Sequence, residues 1–496
     1  MKNHFFLAIA VVLVLAACNK SFLDTKPTNA VPDDQVFNTA DNIETVLNGT
    51  WSYMFEEFFT YAVPGYKSID LTSDAMGSDV AVTTSYGLRD SYAYTEMVDN
   101  TKNRVNAFWT ISYKVIDNCN NIITKIDAAS GDAEKKARLK GQALALRANC
   151  YIRLASLYQF NRTGTEKAVP IYTTPSGPAS EGKPKATVAE VYAQAISDLK
   201  QAIPLLQGYE RNPSQKWKID VNVANGLLAR AYLYNRQWTD AVSAAVAARK
   251  GYSLMSGDDY NKGFNDLSNI EWIWGHGQTP NQSNASYNFH YLDVSTPASY
   301  YQSFMADPFF KDLFDSSDVR FRLFDWDTLP DQEGYLRYKK FRFRDPGALV
   351  GDLVLMRAAE MYLIEAEAYA QLGNTGKSTE ALNTLRAARN AALYQGGGKI
   401  LDTIYVERRK ELWGEGFSLS DIIRTGGTVV RKPFLSYTGE DSIISVPRGN
   451  GSFIEVAAQG HLTLRQPDGK PFTPYSNYYL FAIPISEIQN NPNLNQ

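Results

Sequence analysis

The segment Arg357–Leu372, RAAEMYLIEAEAYAQL, decides how the rest of the chain is read. Ala, Leu, Met and Glu dominate it and no Gly or Pro interrupts it, a composition that favours helix. Alanines at 358, 359, 366, 368 and 370 allow a second helix to approach closely, while Met361, Leu363, Ile364 and Leu372 supply apolar bulk. Gly373 then stops the helix as a C-terminal glycine does. After a short polar turn, residues 378–393 return as a second helix, so the pair reads as a helical hairpin.

The same pattern recurs upstream. Residues 222–234 and 238–248 form the clearest hairpin, and Ala229, Tyr232, Trp238, Ala241, Ala245 and Ala248 fit a tetratricopeptide pattern. Arg236 stands where that pattern usually has Gly. Helical periodicity also marks residues 39–54, 105–126, 133–160 and 188–206, the last capped by Thr187. The fold expected is mainly α, with three to four tetratricopeptide-like helical hairpins forming a scaffold and an irregular, loop-rich insertion containing short strands. Helical scaffold is assigned to residues 39–60, 104–250 and 353–424, and loop-rich, ligand-binding regions to 61–103, 251–352 and 426–480. Within the central insertion, Glu271-Trp272-Ile273-Trp274 alternates like a short strand. Its alternating tryptophans are expected to pack.

With 496 residues, 44% hydrophobic and 21% charged, the composition is that of a globular protein large for a single core. A formal net charge of −3 argues against nucleic acid as a partner. The aromatic share is 12%, and Tyr and Trp in loops present flat apolar faces with a polar edge, suited to sugars and peptides. At the N-terminus, Lys2 precedes an apolar run too short to span a membrane, ending in Leu15-Ala16-Ala17-Cys18. This resembles a bacterial lipobox. Residues 1–17 are expected to be a removed signal peptide, with Cys18 the lipidated first residue of a single body, 18–496. Cys119 and Cys150 lie in helical patterns, where a disulfide and buried free thiols are both open.

Enzyme motifs are missing. No phosphate-binding Gly loop, no His-Glu-x-x-His and no Gly-x-Ser-x-Gly elbow occurs, and the histidines after the leader are scattered at 276, 290 and 461. Neither a catalytic residue, a metal site nor a cofactor is expected. The most specific local string is Glu407-Arg408-Arg409-Lys410-Glu411-Leu412-Trp413-Gly414-Glu415-Gly416, with Asp421 and Arg424 beyond it. On a helix Glu407, Glu411 and Glu415 share a face. A structural charge network of Glu360, Glu367, Arg408, Arg409, Glu411 and Glu415 is expected, with Arg408 and Arg409 pairing Glu360 or Glu367 across a helix interface.

These strings resemble the SusD/RagB-type nutrient-binding outer-membrane lipoproteins. ERRKELWGEG with Asp421 and Arg424 is similar to the family's C-terminal motif. Arg357-Ala358-Ala359-Glu360 through Glu365-Ala366-Glu367-Ala368 is similar to its Arg-x-Ala-Glu…Ala-Glu-Ala helix. Ala145-Leu146-Arg147-Ala148 and Ala229-Arg230-Ala231-Tyr232-Leu233 match its inner helices. Phe22-Leu23-Asp24 after Cys18 and the ending Ile483–Gln496 match its termini. One departure is Phe417-Ser418-Leu419-Ser420, where a His or Arg and an aromatic are usual. The resemblance implies a non-catalytic binding protein, lipid-anchored on the outer membrane and facing the exterior. It would capture an oligosaccharide, or in some members a peptide, and act as a lid over a TonB-dependent transporter of the SusC type. A structural lid with little ligand affinity is the alternative. The family's ligand residues do not transfer by position, so Tyr86, Tyr92, Tyr287, Tyr291, Tyr300 and Trp326 are expected to bind ligand because they stand in aromatic loops. Asp74, Arg89, Asn284 and Asn288 are polar companions.

Overall fold

The computed structural model describes residues 36–60, 63–83, 87–328, 332–436, 438–448 and 451–496. Cys18 and Tyr86 lie outside them. Among the described residues, helices of eight or more residues are α1 (Ala40–Glu56), α2 (Lys67–Ala75), α3 (Asn103–Lys125), α4 (Ala133–Tyr158), α5 (Val188–Leu205) and α6 (Val221–Tyr234), followed by α7 (Trp238–Ala248), α8 (Ala358–Gln371), α9 (Thr375–Ala388), α10 (Ile400–Leu412) and α11 (Ser418–Thr425). The fold is the helical scaffold expected. Three antiparallel hairpins, α4/α5, α6/α7 and α8/α9, stack through α5 on α6 and α7 on α8, while α3 and α1 pack on the outer side of α4.

Local chemistry starts these helices. Thr39, Asp132, Thr187 and Asp220 each cap an N-terminus by accepting a backbone N–H, and Thr187 with Glu190 closes a reciprocal capping box. Arg236, in the turn between α6 and α7, takes a left-handed φ of +58°. That conformation explains why Gly suits the position. Here two side-chain hydrogen bonds, to the carbonyls of Asn161 and Arg162, offset the backbone cost.

Two expectations near the opening segment are corrected. Arg357 is not helical: it ends a strand, Leu353–Arg357, that pairs antiparallel with Trp272–His276 in the register Trp272↔Arg357 and His276↔Leu353. The returning helix is Thr375–Ala388, set by Asn374 accepting the N–H of Lys377, rather than residues 378–393. Trp272 and Trp274 are buried, as the alternation implies. A four-stranded antiparallel sheet joins Val80–Val82, Phe304–Ala306, Leu336–Tyr338 and Phe324–Trp326, in that spatial order. Residues 61–103 also hold α2, whose nine residues are all buried.

Charged bolts hold the helices together. Glu360, Glu365 and Glu367 of α8 each meet a different arginine: Arg230 of α6, Arg249 at the end of α7 and Arg424 of α11. Arg147 of α4 grips Asp198 of α5 with bonds of 2.8 and 2.6 Å. The pairing expected for Arg408 and Arg409 is therefore wrong. Arg408 bonds Asp421, and Arg409 bonds Asp79, because successive residues of α10 point about 100° apart toward different neighbours. Glu415 lies beyond the end of α10, in the turn that follows Trp413. There it accepts from Arg357 and Lys340. Glu411 is the hub, facing Arg320, Arg357 and Arg389. The guanidiniums around it hold its carboxyl well below the usual range despite burial. Cys119 and Cys150 are free, buried thiols.

Candidate ligand-binding site

The loop-rich insertion between α7 and α8 gathers aromatic side chains around one histidine. His290 is buried in a short helix, Phe289–Leu292, and its backbone carbonyl accepts from Tyr301 N, Gln302 N and Ser299 Oγ. Its ring Nδ1 accepts from Tyr300 N at 3.1 Å. The chain turns tightly here, with Gln302 at φ +45°. This wrapping lays the Tyr300 ring flat on the imidazole, with centroids 3.9 Å apart and planes 8° off parallel. Burial lowers the His290 pKa to about 4, so the ring is neutral at physiological pH. With Nδ1 accepting, the proton sits on Nε2.

Tyr300 is 64% exposed, so its outer face is open to solvent while its inner face rests on His290. Beneath and beside it, Tyr291 stacks on Tyr301 at 4.8 Å, and the Tyr287 and Tyr301 hydroxyls are hydrogen-bonded to each other. Gly87 reaches the same place. Gly87 has φ +98°, and a Cβ on it would lie 2.6 Å from Tyr291 Oη, so only glycine allows that approach. Arg104 holds the loop by donating to the Gly87 carbonyl at 2.6 Å.

The structure thus brings Tyr287, Tyr291 and Tyr300 into one cluster. It corrects the exposure expected of two tyrosines. Tyr291 is fully buried as a support beneath the surface. Tyr92 is also buried: its hydroxyl meets His461 Nδ1 and accepts from Leu462 N, and Arg431 lies over its ring at 4.0 Å. A phenol contributes packing and hydrogen bonds at such a position, where no ligand surface reaches it. Tyr287 is half-buried at the cluster's margin. Trp326 stands elsewhere, half-buried on an edge strand, 6.3 Å from the Phe434 ring. Asp74 and Asn288 are buried, whereas Arg89 and Asn284 are exposed. Asp74 accepts the backbone N–H groups of Gly416 and Ser418, and burial pushes its carboxyl up to about 7. His290 and Tyr301 were missed by sequence reasoning. The only available signal was a histidine inside an aromatic-rich run, which does not reveal that residues ten apart fold onto each other.

Among the described residues, no group of three or more His, Cys, Asp or Glu could hold a metal ion, and no helix is long and apolar enough to cross a membrane. Aromatic faces with hydroxyl edges pack against sugar C–H surfaces or peptide side chains without proton transfer.

Comparison with known proteins places the chain in a family. Residues 21–233 match the family described as "Starch-binding associating with outer membrane" (SusD-like_3), and residues 330–496 match the SusD family (SusD_RagB). A SusD-like carbohydrate binding protein from Bacteroides vulgatus ATCC 8482, known as a crystal structure, is 42% identical. It superposes with a TM-score of 0.87, covering 92% of this chain and 98% of that one. Two curated relatives from Formosa agariphila also match. SusD-like protein P38 is 33% identical over 111 residues (20% of this chain, 22% of that protein). SusD-like protein P2 is 25% identical over 252 residues (49% of this chain, 46% of that protein). The chain therefore spans less than half the length of either curated relative, whereas it spans nearly all of the Bacteroides structure. With helical hairpins, motif strings and a whole-length relative in agreement, the chain belongs to the SusD family.

Proposed function

We propose that this chain is a non-catalytic, cell-surface lipoprotein, anchored to the outer membrane through Cys18, that captures oligosaccharides and delivers them to a SusC-type TonB-dependent transporter. The observation that carries the reading is Tyr300, a tyrosine more than half exposed and held flat by a neutral imidazole. An exposed aromatic ring is ordinarily mobile. One backed by His290 and tethered through its own N–H is pre-organised, which reduces the ordering entropy lost when a sugar ring stacks on it. Tyr287 at the margin, its hydroxyl bonded to that of Tyr301, supports the reading by supplying a polar edge for sugar hydroxyls. Family membership and the carbohydrate binding described for the Bacteroides relative support the same ligand class.

Titration calorimetry of the purified chain against a panel of neutral oligosaccharides and short peptides tests the reading. Tyr300→Ala is expected to weaken oligosaccharide binding about tenfold, roughly 1.4 kcal/mol, with an unchanged melting temperature. Binding of peptides alone would favour a peptide-capturing protein. Absence of any binding, or identical affinity in the variant, would overturn the proposal.

A further inference from the structure

A cavity of about 780 Å³ is lined by none of the clustered tyrosines. It opens between α1, the segment 213–217 and the chain following Trp272–His276. Trp217 lines it, half-buried and stacked against Trp51 at 5.5 Å, and its backbone is pinned by Trp274 Nε1 donating to its carbonyl at 2.8 Å. The wall behind is rigid. Trp51 Nε1 donates to His276 Nδ1 at 2.9 Å, and His276 Nε2 donates to Glu56 at 2.6 Å. Uncharged hydrogen-bonding side chains, Asn48, Ser52, Thr279 and Gln282, stand around the opening.

The charged side chains lining this cavity are unequally paired. Asp352 is consumed by Arg344 and by the N–H groups of Leu267 and Gln278. Lys216 is half-buried, and its ammonium donates to the carbonyl of Asn269 at 2.8 Å; among the described residues no carboxylate forms an ion pair with it. Burial, and then repulsion from Arg211, bring its pKa down to about 8 against the opposing pull of the nearby Asp266 carboxylate, which makes no ion pair with it. With one carbonyl acceptor and no ion pair, the three-donor ammonium keeps hydrogen-bonding capacity for a negative ligand group.

We infer that this cavity is a second saccharide site, distinct from the Tyr300 platform, that takes an acidic sugar residue with its anionic group on Lys216 and its ring against Trp217. A carboxylate (uronic acid) and a sulfate ester present the same chemistry to the ammonium. Both have oxygen acceptors, and both leave ring hydroxyls for the amide and hydroxyl rim. A neutral sugar would offer the ammonium no ion pair.

Calorimetry of the whole chain with galacturonate and mannuronate trisaccharides, their methyl esters, and a sulfated trisaccharide tests this inference. Binding is expected for uronate or sulfated probes, at least tenfold weaker for the esters. Lys216→Gln and Trp217→Phe are each expected to weaken it about tenfold, whereas Tyr300→Ala leaves it unchanged. Lys216→Arg keeps the charge and is expected to retain most of the affinity. Melting curves of each variant separate unfolding from lost contact, and tryptophan fluorescence of the parent chain gives a readout that needs no variant. Absence of acidic-probe binding, equal affinity for acid and ester, or binding lost through Tyr300→Ala but not Lys216→Gln would each overturn the site. None of these outcomes bears on whether neutral oligosaccharides bind at Tyr300.

Discussion

Replacing Glu411 by Gln keeps the size of the side chain and removes one charge from the centre of the buried network. Five buried cations, Arg320, Arg357, Arg389, Lys340 and Lys410, there face five buried carboxylates, Asp318, Glu271, Glu407, Glu411 and Glu415. Glu411 touches three of the guanidiniums, at 2.5 Å from Arg357 and 2.8 Å from Arg320 and Arg389. In the variant, the amide NH₂ would point at guanidinium N–H groups, donor against donor, and one positive charge would be left uncompensated. Removing one partner from a buried ion pair costs about 3–5 kcal/mol. An unfolding entropy of about 2.1 cal/mol/K per residue gives roughly 1 kcal/mol/K over 496 residues, so each kcal/mol moves the midpoint by about 1 °C. The expected loss is therefore about 3–5 °C in differential scanning calorimetry, with a parallel fall in the urea midpoint. Asp468→Asn, which removes the partner of the largely exposed Lys470, serves as control and should leave both midpoints in place. A Glu411→Gln midpoint within about 1 °C of the parent would refute the claim that this network holds the fold.

Asp74→Asn tests the carboxyl raised to about 7 from 3.8. A raised carboxyl contributes fully below pH 3.8, and that contribution is lost as pH rises through 7. The midpoint difference, variant minus parent, should therefore move in the variant's favour between pH 4 and 7.5; a constant difference would exclude this role. Gly416→Ala places a side chain on a residue with φ +90°, with its Cβ 2.4 Å from the Cβ of Asp70. The backbone alone should cost about 1–3 kcal/mol, read as a lower calorimetric midpoint, and an unchanged midpoint would show that the turn relaxes freely.

Secondary structure was legible wherever short-range chemistry specifies it. Trp238–Ala248 and the Thr187 cap were readable because helix periodicity and capping depend on residues within one turn of each other. The strand at Trp272 was readable for the same reason. Arg357 was misread because its composition is helical, while its pairing with Trp272 across the sheet makes it a strand end. Motif glutamates and arginines were read as one charge network, whereas in the structure each takes partners the sequence did not name. Glu360 meets Arg230 and Glu367 meets Arg424, matches that follow from how separate helices stack.

The same division runs through the site. An aromatic-rich central insertion could be read from composition and from the helices flanking it. Which tyrosines face water could not. Tyr291 and Tyr300 have the same side chain in the same insertion, yet one is buried and the other is 64% exposed. The difference arises from the 299–302 turn closing on the His290 carbonyl, a contact without periodic signature in the chain. Helices and their order are encoded by neighbours in sequence. Partner choice and exposure are set by long-range packing, where many side chains compete for one space and the lowest free energy of the whole selects among them.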